Sequence, residues 1–201
     1  MRIDALSRRR LMALLAAAGA TPVSQPVMAL TPGEAESLIG ALVDDIFRVI
    51  NSGKSERAMF RDFERVFSKY ADVAVIAQSS LGVARRSASS SQLRAYTYAF
   101  QGYISRKYGK RFREFIGADV RVTKSQKTKR GYLVTSEVKL RGQAPFSVEF
   151  QVSDASGRNK MFDLIIEGIS MLRLEREEIG QMLDRRGGDI NKLIADLKTS
   201  S

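Results

Sequence analysis

Neither cysteine nor histidine occurs anywhere in the 201 residues of this chain. Their absence removes thiol nucleophiles, disulfides, imidazole general bases and most zinc sites, and excludes a hydrolytic triad built on histidine. It does not identify a compartment, because a chain without cysteine is compatible with oxidising and reducing surroundings alike. Size and packing alone must therefore supply stability. Internal repeats and low-complexity tracts are also missing, and no apolar run approaches the roughly 20 residues of a membrane-spanning helix. What remains is a globular mixture of 44% hydrophobic and 27% charged residues, enough for a single packed domain.

The formal net charge is +11, so the surface attracts anionic partners such as nucleic acid or acidic lipid head groups. Part of this charge belongs to Met1–Ala29, which holds four arginines and one aspartate and leaves +8 on the remainder. That segment has the order of an export signal: a basic stretch, the apolar run Leu11–Ala18, then small residues. Ser7-Arg8-Arg9, with Leu11 beyond the pair, resembles the twin-arginine address. Val27-Met28-Ala29 places cleavage after Ala29, with Ala18-Gly19-Ala20 as the second choice. The expected organisation is a signal peptide over residues 1–29, a single domain over 30–201, and a periplasmic location.

Beyond the leader, Thr31 as N-cap, Pro32 and Glu34 predict a helix start. Leu38, Leu42, Ile46 and Val49 form its apolar stripe, and Asn51-Ser52-Gly53 stops it. A second helix begins at Ser55 with Met59, Phe63, Val66 and Phe67 on one side, and Asp72–Ser80 makes a shorter third. After the polar break Ser87–Ser91, the longest and most aromatic helix runs to Gly117 through Leu93, Tyr96, Phe100, Tyr103, Ile104 and Tyr108. The period then switches to 2. Val120 and Val122, then Tyr132, Val134, Val138 and Leu140, then Phe146, Val148, Phe150 and Val152, and finally Phe162, Leu164 and Ile166 predict four strands. Lys124–Gly131, Arg141–Pro145 and Ser153–Lys160 read as polar connections. Helical spacing returns in Met171–Arg185 and, after Gly187-Gly188, in a last helix capped by Asp189. The predicted class is α+β, with helices packed on one face of a four-stranded antiparallel sheet and enclosing an apolar cavity.

These elements together resemble the MlaC-type family of periplasmic phospholipid-binding proteins, also called toluene-tolerance auxiliary proteins. The resemblance rests on Phe67, Tyr70 and Ile76, on Leu81-Gly82 with Arg86 and Ala88, and on Gln92, Phe100 and Tyr108. Towards the other end it rests on Val134, Pro145, Val148, Phe150, Phe162-Asp163 and Glu167-Gly168-Ile169-Ser170. Arg85 stands where the family often has an aromatic, and Arg158-Asn159-Lys160-Met161 where it often has a tryptophan. The resemblance implies a non-enzymatic carrier without a cofactor that binds phospholipid acyl tails between sheet and helices. Its implied partners are an inner-membrane ABC transporter with an MCE-type subunit and an outer-membrane lipoprotein complex.

The expected cavity lining is Tyr96, Phe100, Tyr103 and Ile104 on the long helix, facing Val134, Val138, Val148, Phe150, Leu164 and Ile166 on the sheet. An ordinary filled core is the competing reading of the same stripes. Arg85 and Arg86 are candidates for the lipid head group, whereas Lys124, Lys127, Lys129 and Arg130 read as a solvated turn. Asp163 and Glu167 lie about 13 Å apart in an extended strand, too far for a glycosidase-type carboxylate pair, and read as structural. Two other functions stay open at this stage: an isomerase on a similar cone-shaped fold, which needs a buried acid or base on the apolar face, and a basic nucleic-acid-binding module. Export and the inward placement of the tyrosines count against nucleic acid as a partner.

Overall fold

The computed structural model describes residues 29–200. The expected leader, with its paired arginines, therefore lies outside the described residues except for Ala29. Helix α1 (Pro32–Ile50) starts with a reciprocal cap: the Thr31 hydroxyl accepts from the Glu34 amide, and the Glu34 carboxylate accepts from the Thr31 amide at 2.8 Å. Helix α2 (Glu56–Tyr70) follows Ser55, and α3 (Val73–Ser80) is capped by Asp72. After a 3-10 turn at Gly82–Arg86, Ser89 and Gln92 cap α4 (Ser90–Gly109) in the same reciprocal way.

Helix α4 stops at Gly109 rather than at the expected Gly117. Glycine is a poor helix former, and here it serves a close approach: a Cβ at residue 109 would lie 2.7 Å from Cδ1 of Phe60 on α2. The chain then tightens into a 3-10 turn at Phe112–Phe115, which brings Phe115 against the apolar side of α1.

Strands β1 (Asp119–Thr128), β2 (Gly131–Lys139), β3 (Phe146–Ser153), β4 (Lys160–Ile166) and β5 (Ile169–Ser170) form one antiparallel sheet in chain order. The sheet thus has five strands, not the four expected. The fifth exists because Glu167 and Gly168 take positive φ values of 48° and 81°, the backbone of a tight two-residue hairpin turn. That turn folds Ile169 and Ser170 back onto Ile166 and Ile165. Strand β1 also runs further than expected, through Lys124–Thr128. A bulge at Thr123, between the pairs Val122/Ser136 and Lys124/Thr135, breaks the alternation while pairing continues.

Asp163 is buried and ties β4 to the helix that follows. Its carboxylate accepts from the Ser170 hydroxyl at 2.7 Å and from the amides of Leu164 and Leu172 at 2.8 and 3.0 Å. It thereby anchors the first turn of α5 (Met171–Arg185), to which α6 (Ile190–Thr199), capped by Asp189, is joined through Gly187-Gly188. Glu167 sits exposed in the turn, so neither carboxylate faces the other across a reaction site.

The helices cover one face of the sheet, and they do so unequally. Helix α1 lies on β1 and β2, and α3 and α5 lie on β4, whereas α4 packs mainly among α2, α3 and α6. Two large apolar clusters result. One is helical, holding Ile76, Tyr96, Phe100, Tyr103, Ile179, Leu193 and Leu197. The other joins α1 to the sheet through Ile39, Leu42, Val134, Val138, Val148, Phe150 and Val152.

Candidate functional site

A cavity of about 240 Å³ lies where these layers meet. Its sheet wall carries Val120, Val138, Phe146, Val148, Phe150, Leu164 and Ile166. Cross-strand pairing explains why so many of these converge: Val148 faces Ile166 and Phe150 faces Leu164, so their side chains share one side of the pleat. The opposite wall comes from Leu42, Val43, Ile46, Phe47 and Ile50 of α1 and from Phe63, Val66 and Phe67 of α2. Ile104, Ser105 and Tyr108 of α4 also line the cavity, together with Met171, Leu172 and Glu175 of α5.

The structure brings six of the expected lining residues to this cavity: Ile104, Val138, Val148, Phe150, Leu164 and Ile166. It places Tyr96, Phe100 and Tyr103 elsewhere, in the helical cluster, where Tyr96 and Phe100 are fully buried. Their rings pack on each other with centroids 5.8 Å apart, and the Tyr96 hydroxyl bonds Ser80 Oγ at 2.8 Å. Val134 is fully buried with the α1 and sheet cluster but is not on the cavity wall. Arg85 and Arg86 are exposed on the turn before α4, also off the wall.

The α1 and α2 residues of the wall were not singled out from the sequence as lining. The signal was present in the stripes containing Leu42, Ile46, Phe63, Val66 and Phe67, but a stripe identifies a buried face and not the element it meets.

One corner of the wall is polar. Glu175 is 3% exposed, and its Oε1 accepts from Lys107 Nζ at 2.7 Å and from the Tyr108 hydroxyl at 2.6 Å. Lys107 also pairs with Glu178, which accepts from the Tyr103 hydroxyl at 2.6 Å. Burial lowers the affinity of Lys107 for its proton, but the bonds to Glu175 and Glu178 outweigh that and leave its pKa raised. The phenols of Tyr103 and Tyr108 are pushed above their ordinary range, chiefly by burial and further by the neighbouring carboxylates. Both therefore remain protonated donors at neutral pH. Glu175 Oε2 receives no hydrogen bond among the described residues.

No helix among the described residues is long and apolar enough to cross a membrane. Comparison with known families finds a match to the model of the MlaC protein family over residues 41–199. Among solved structures, the chain is similar to a phospholipid-binding protein from Ralstonia solanacearum, determined in complex with a phospholipid. The two superpose with a TM-score of 0.70 at 19% identity, covering 81% of this chain and 94% of the other. That likeness is one of fold.

Proposed function

Because the chain belongs to the MlaC protein family, we propose that it is a periplasmic phospholipid carrier. It holds acyl chains in the cavity between α1, α2 and the sheet. On this reading it passes lipid between an inner-membrane ABC transporter with an MCE-type subunit and an outer-membrane lipoprotein complex. The observation that carries the proposal is the cavity wall, formed almost wholly by aliphatic and aromatic side chains from α1, α2 and β1–β4.

Such a wall binds lipid without any reaction. Transfer of a chain from water is favoured by about 0.8 kcal/mol per buried CH₂, so one long chain already makes a tight complex. The cavity of about 240 Å³ is smaller than the roughly 300–1,000 Å³ of sites for drug-sized ligands. A two-chain lipid therefore needs more room than the cavity offers in this conformation. The phospholipid held by the Ralstonia solanacearum protein supports the choice of ligand.

The test is organic extraction and mass spectrometry of the protein purified from the periplasm. Phospholipid near one mole per mole is expected. Recovery free of lipid, with salt-sensitive DNA binding in its place, would overturn the reading.

A further inference from the structure

The register of the sheet gives the cavity a direction. Val120, Val138 and Phe146 stand level with one another on its wall, at the end where β1 and β3 begin and β2 and β4 finish. Further in, the wall is Val148 with Ile166, then Phe150 with Leu164. At the next level Met161 borders the cavity, whereas its partner Val152 is fully buried and off the wall. The cavity therefore crosses the sheet obliquely, from the start of β1 to the start of β4. Measured along β3, from Phe146 to Val152, its course is about 20 Å at the usual rise per residue.

The two ends differ. At the Met161 end, the chain leaving α2 is stitched to β4. The Asp72 amide donates to the Met161 carbonyl at 2.8 Å, and Ala71 forms a bridge with Met161. Lys160 Nζ donates to the carbonyl of Ser68 at 3.2 Å and to that of Lys69. Tyr70 and Ala71 are buried there, and the exposed Arg130 covers the ring of Phe162, its guanidinium 4.4 Å from the centroid. At the other end Phe115, Val120, Phe146 and Met171 are only half-buried. Beyond them Ile116 is 55% exposed, and residues 141–145 are exposed throughout. The cavity is thus blind at Met161 and approaches solvent where β1 begins.

A blind apolar cavity measures length. Methylenes that pass from a bilayer into it exchange one apolar surrounding for another, so length matters little while the chain fits. A chain too long for the cavity leaves methylenes in water at the open end, and each one lowers occupancy about fourfold.

We infer that Met161 is the floor of an acyl-chain ruler, so that the protein discriminates phospholipids by the length of the chain lying along the cavity. The inference rests on the phospholipid-carrier reading. It places the methyl end of that chain against Met161 and the ester end towards the start of β1.

The protein is loaded from vesicles holding equal amounts of phosphatidylethanolamines with two identical monounsaturated chains, graded in length, and bound lipids are quantified by mass spectrometry. Level uptake is expected up to a break, followed by a fall of about fourfold or more per added methylene. Met161→Ala deepens the floor and should move the break to longer chains. Phe67→Leu, which removes ring volume from the α2 side of the same end, should move it the same way. Uptake that follows the vesicle composition at every length, or a break that stays in place in both variants, would overturn the inference and leave lipid binding intact. No lipid of any length would overturn the carrier reading beneath it.

Orientation is read separately. The chain has no tryptophan, so Met161→Trp supplies a single indole at the floor. Lipids that fit the shortened cavity and carry bromine near the methyl end should quench its fluorescence more strongly than the same lipids brominated near the ester. The reverse order, or equal quenching, would show that the chain does not end at Met161.

Discussion

Val148 and Val134 lie on the core face of adjacent strands, and the structure gives them opposite responses to the same substitution. Val148 borders the cavity of about 240 Å³, whereas Val134 is fully buried and off that wall. Replacing Val134 with Trp forces bulk into a packed core, which costs about 1–3 kcal/mol. For a domain of this size each kcal/mol moves Tm by about 2–4 °C, so the Val134→Trp variant should melt about 2–12 °C below the parent. The indole of Val148→Trp instead enters open apolar space, buries its own surface, and should leave the Tm of lipid-free protein within about 2 °C of the parent. It also occupies the volume that an acyl chain would take, so lipid co-purifying with this variant should fall to a small fraction of the parent's. Calorimetry on delipidated protein and phosphorus assay of native protein read the two quantities separately. Equal melting losses in both variants, with lipid retained by Val148→Trp, would refute the assignment of this space to the ligand.

Ser136 points into the same core face between Val134 and Val138, and its hydroxyl is fully buried without a partner among the described residues. Ser136→Ala should therefore be neutral or stabilise by about 1 kcal/mol, seen as a rise in denaturation midpoint without a change in slope. Lys107→Met deprives the buried Glu175 carboxylate of its cation, and should destabilise by about 3 kcal/mol, towards the low end for a broken buried pair because Tyr108 still donates. Combining Lys107→Met with Glu175→Gln should recover part of that loss in urea titrations, and a strictly additive double variant would contradict the pairing. Asp45 accepts from Lys69 at 2.8 Å and Tyr70 at 2.7 Å, and also pairs with Arg48, which together lower its pKa to about 2. A depressed folded value means the contribution is complete above the unfolded pKa of about 3.9 and is lost as pH falls through about 2. Chemical denaturation at pH 5 and pH 2.5 should show a smaller pH-dependent loss in Asp45→Asn than in the parent.

Much of the fold was legible because its boundaries are local chemistry. Thr31 with Glu34, Asp72, Ser89 with Gln92, and Asp189 each satisfy amides at a helix start, and such caps act within four residues of sequence. Strands β2 to β4 were legible for the same kind of reason, since Val148, Phe150 and Val152 alternate with polar neighbours. The missed details arise where backbone geometry departs from side-chain pattern. The positive φ at Glu167 has no strong signal in a glutamate, so the Glu167-Gly168 pair does not announce the two-residue hairpin that creates β5. Likewise, the bulge at Thr123 lets Lys124–Thr128 continue pairing with β2 although their side chains no longer report a buried face.

The candidate site was less legible because periodicity identifies faces and not partners. Helix α4 carries the largest aromatic stripe, and aromatic area is what a sheet most readily covers, so Tyr96, Phe100 and Tyr103 were expected to face the strands. Their burial is real, but it is supplied by the helical cluster, which includes Ile179 of α5 and Leu193 of α6. The sheet is met instead by α1, whose stripe of Leu42, Ile46 and Ile50 is aliphatic and gave no reason to rank it above α4. Ile104 and Tyr108 reach the cavity because they lie on the last turns of α4, beside the close approach to α2 at Gly109. Glu175 was detectable by a different rule: it stands four residues from both Met171 and Ile179, on the apolar stripe of α5, where a carboxylate is expensive unless partnered. A charge on a buried stripe points to a polar network behind it. Here that network is Lys107, Tyr108 and Tyr103 with Glu178, all but Glu178 drawn from the same α4 whose aromatic residues had been assigned to the sheet.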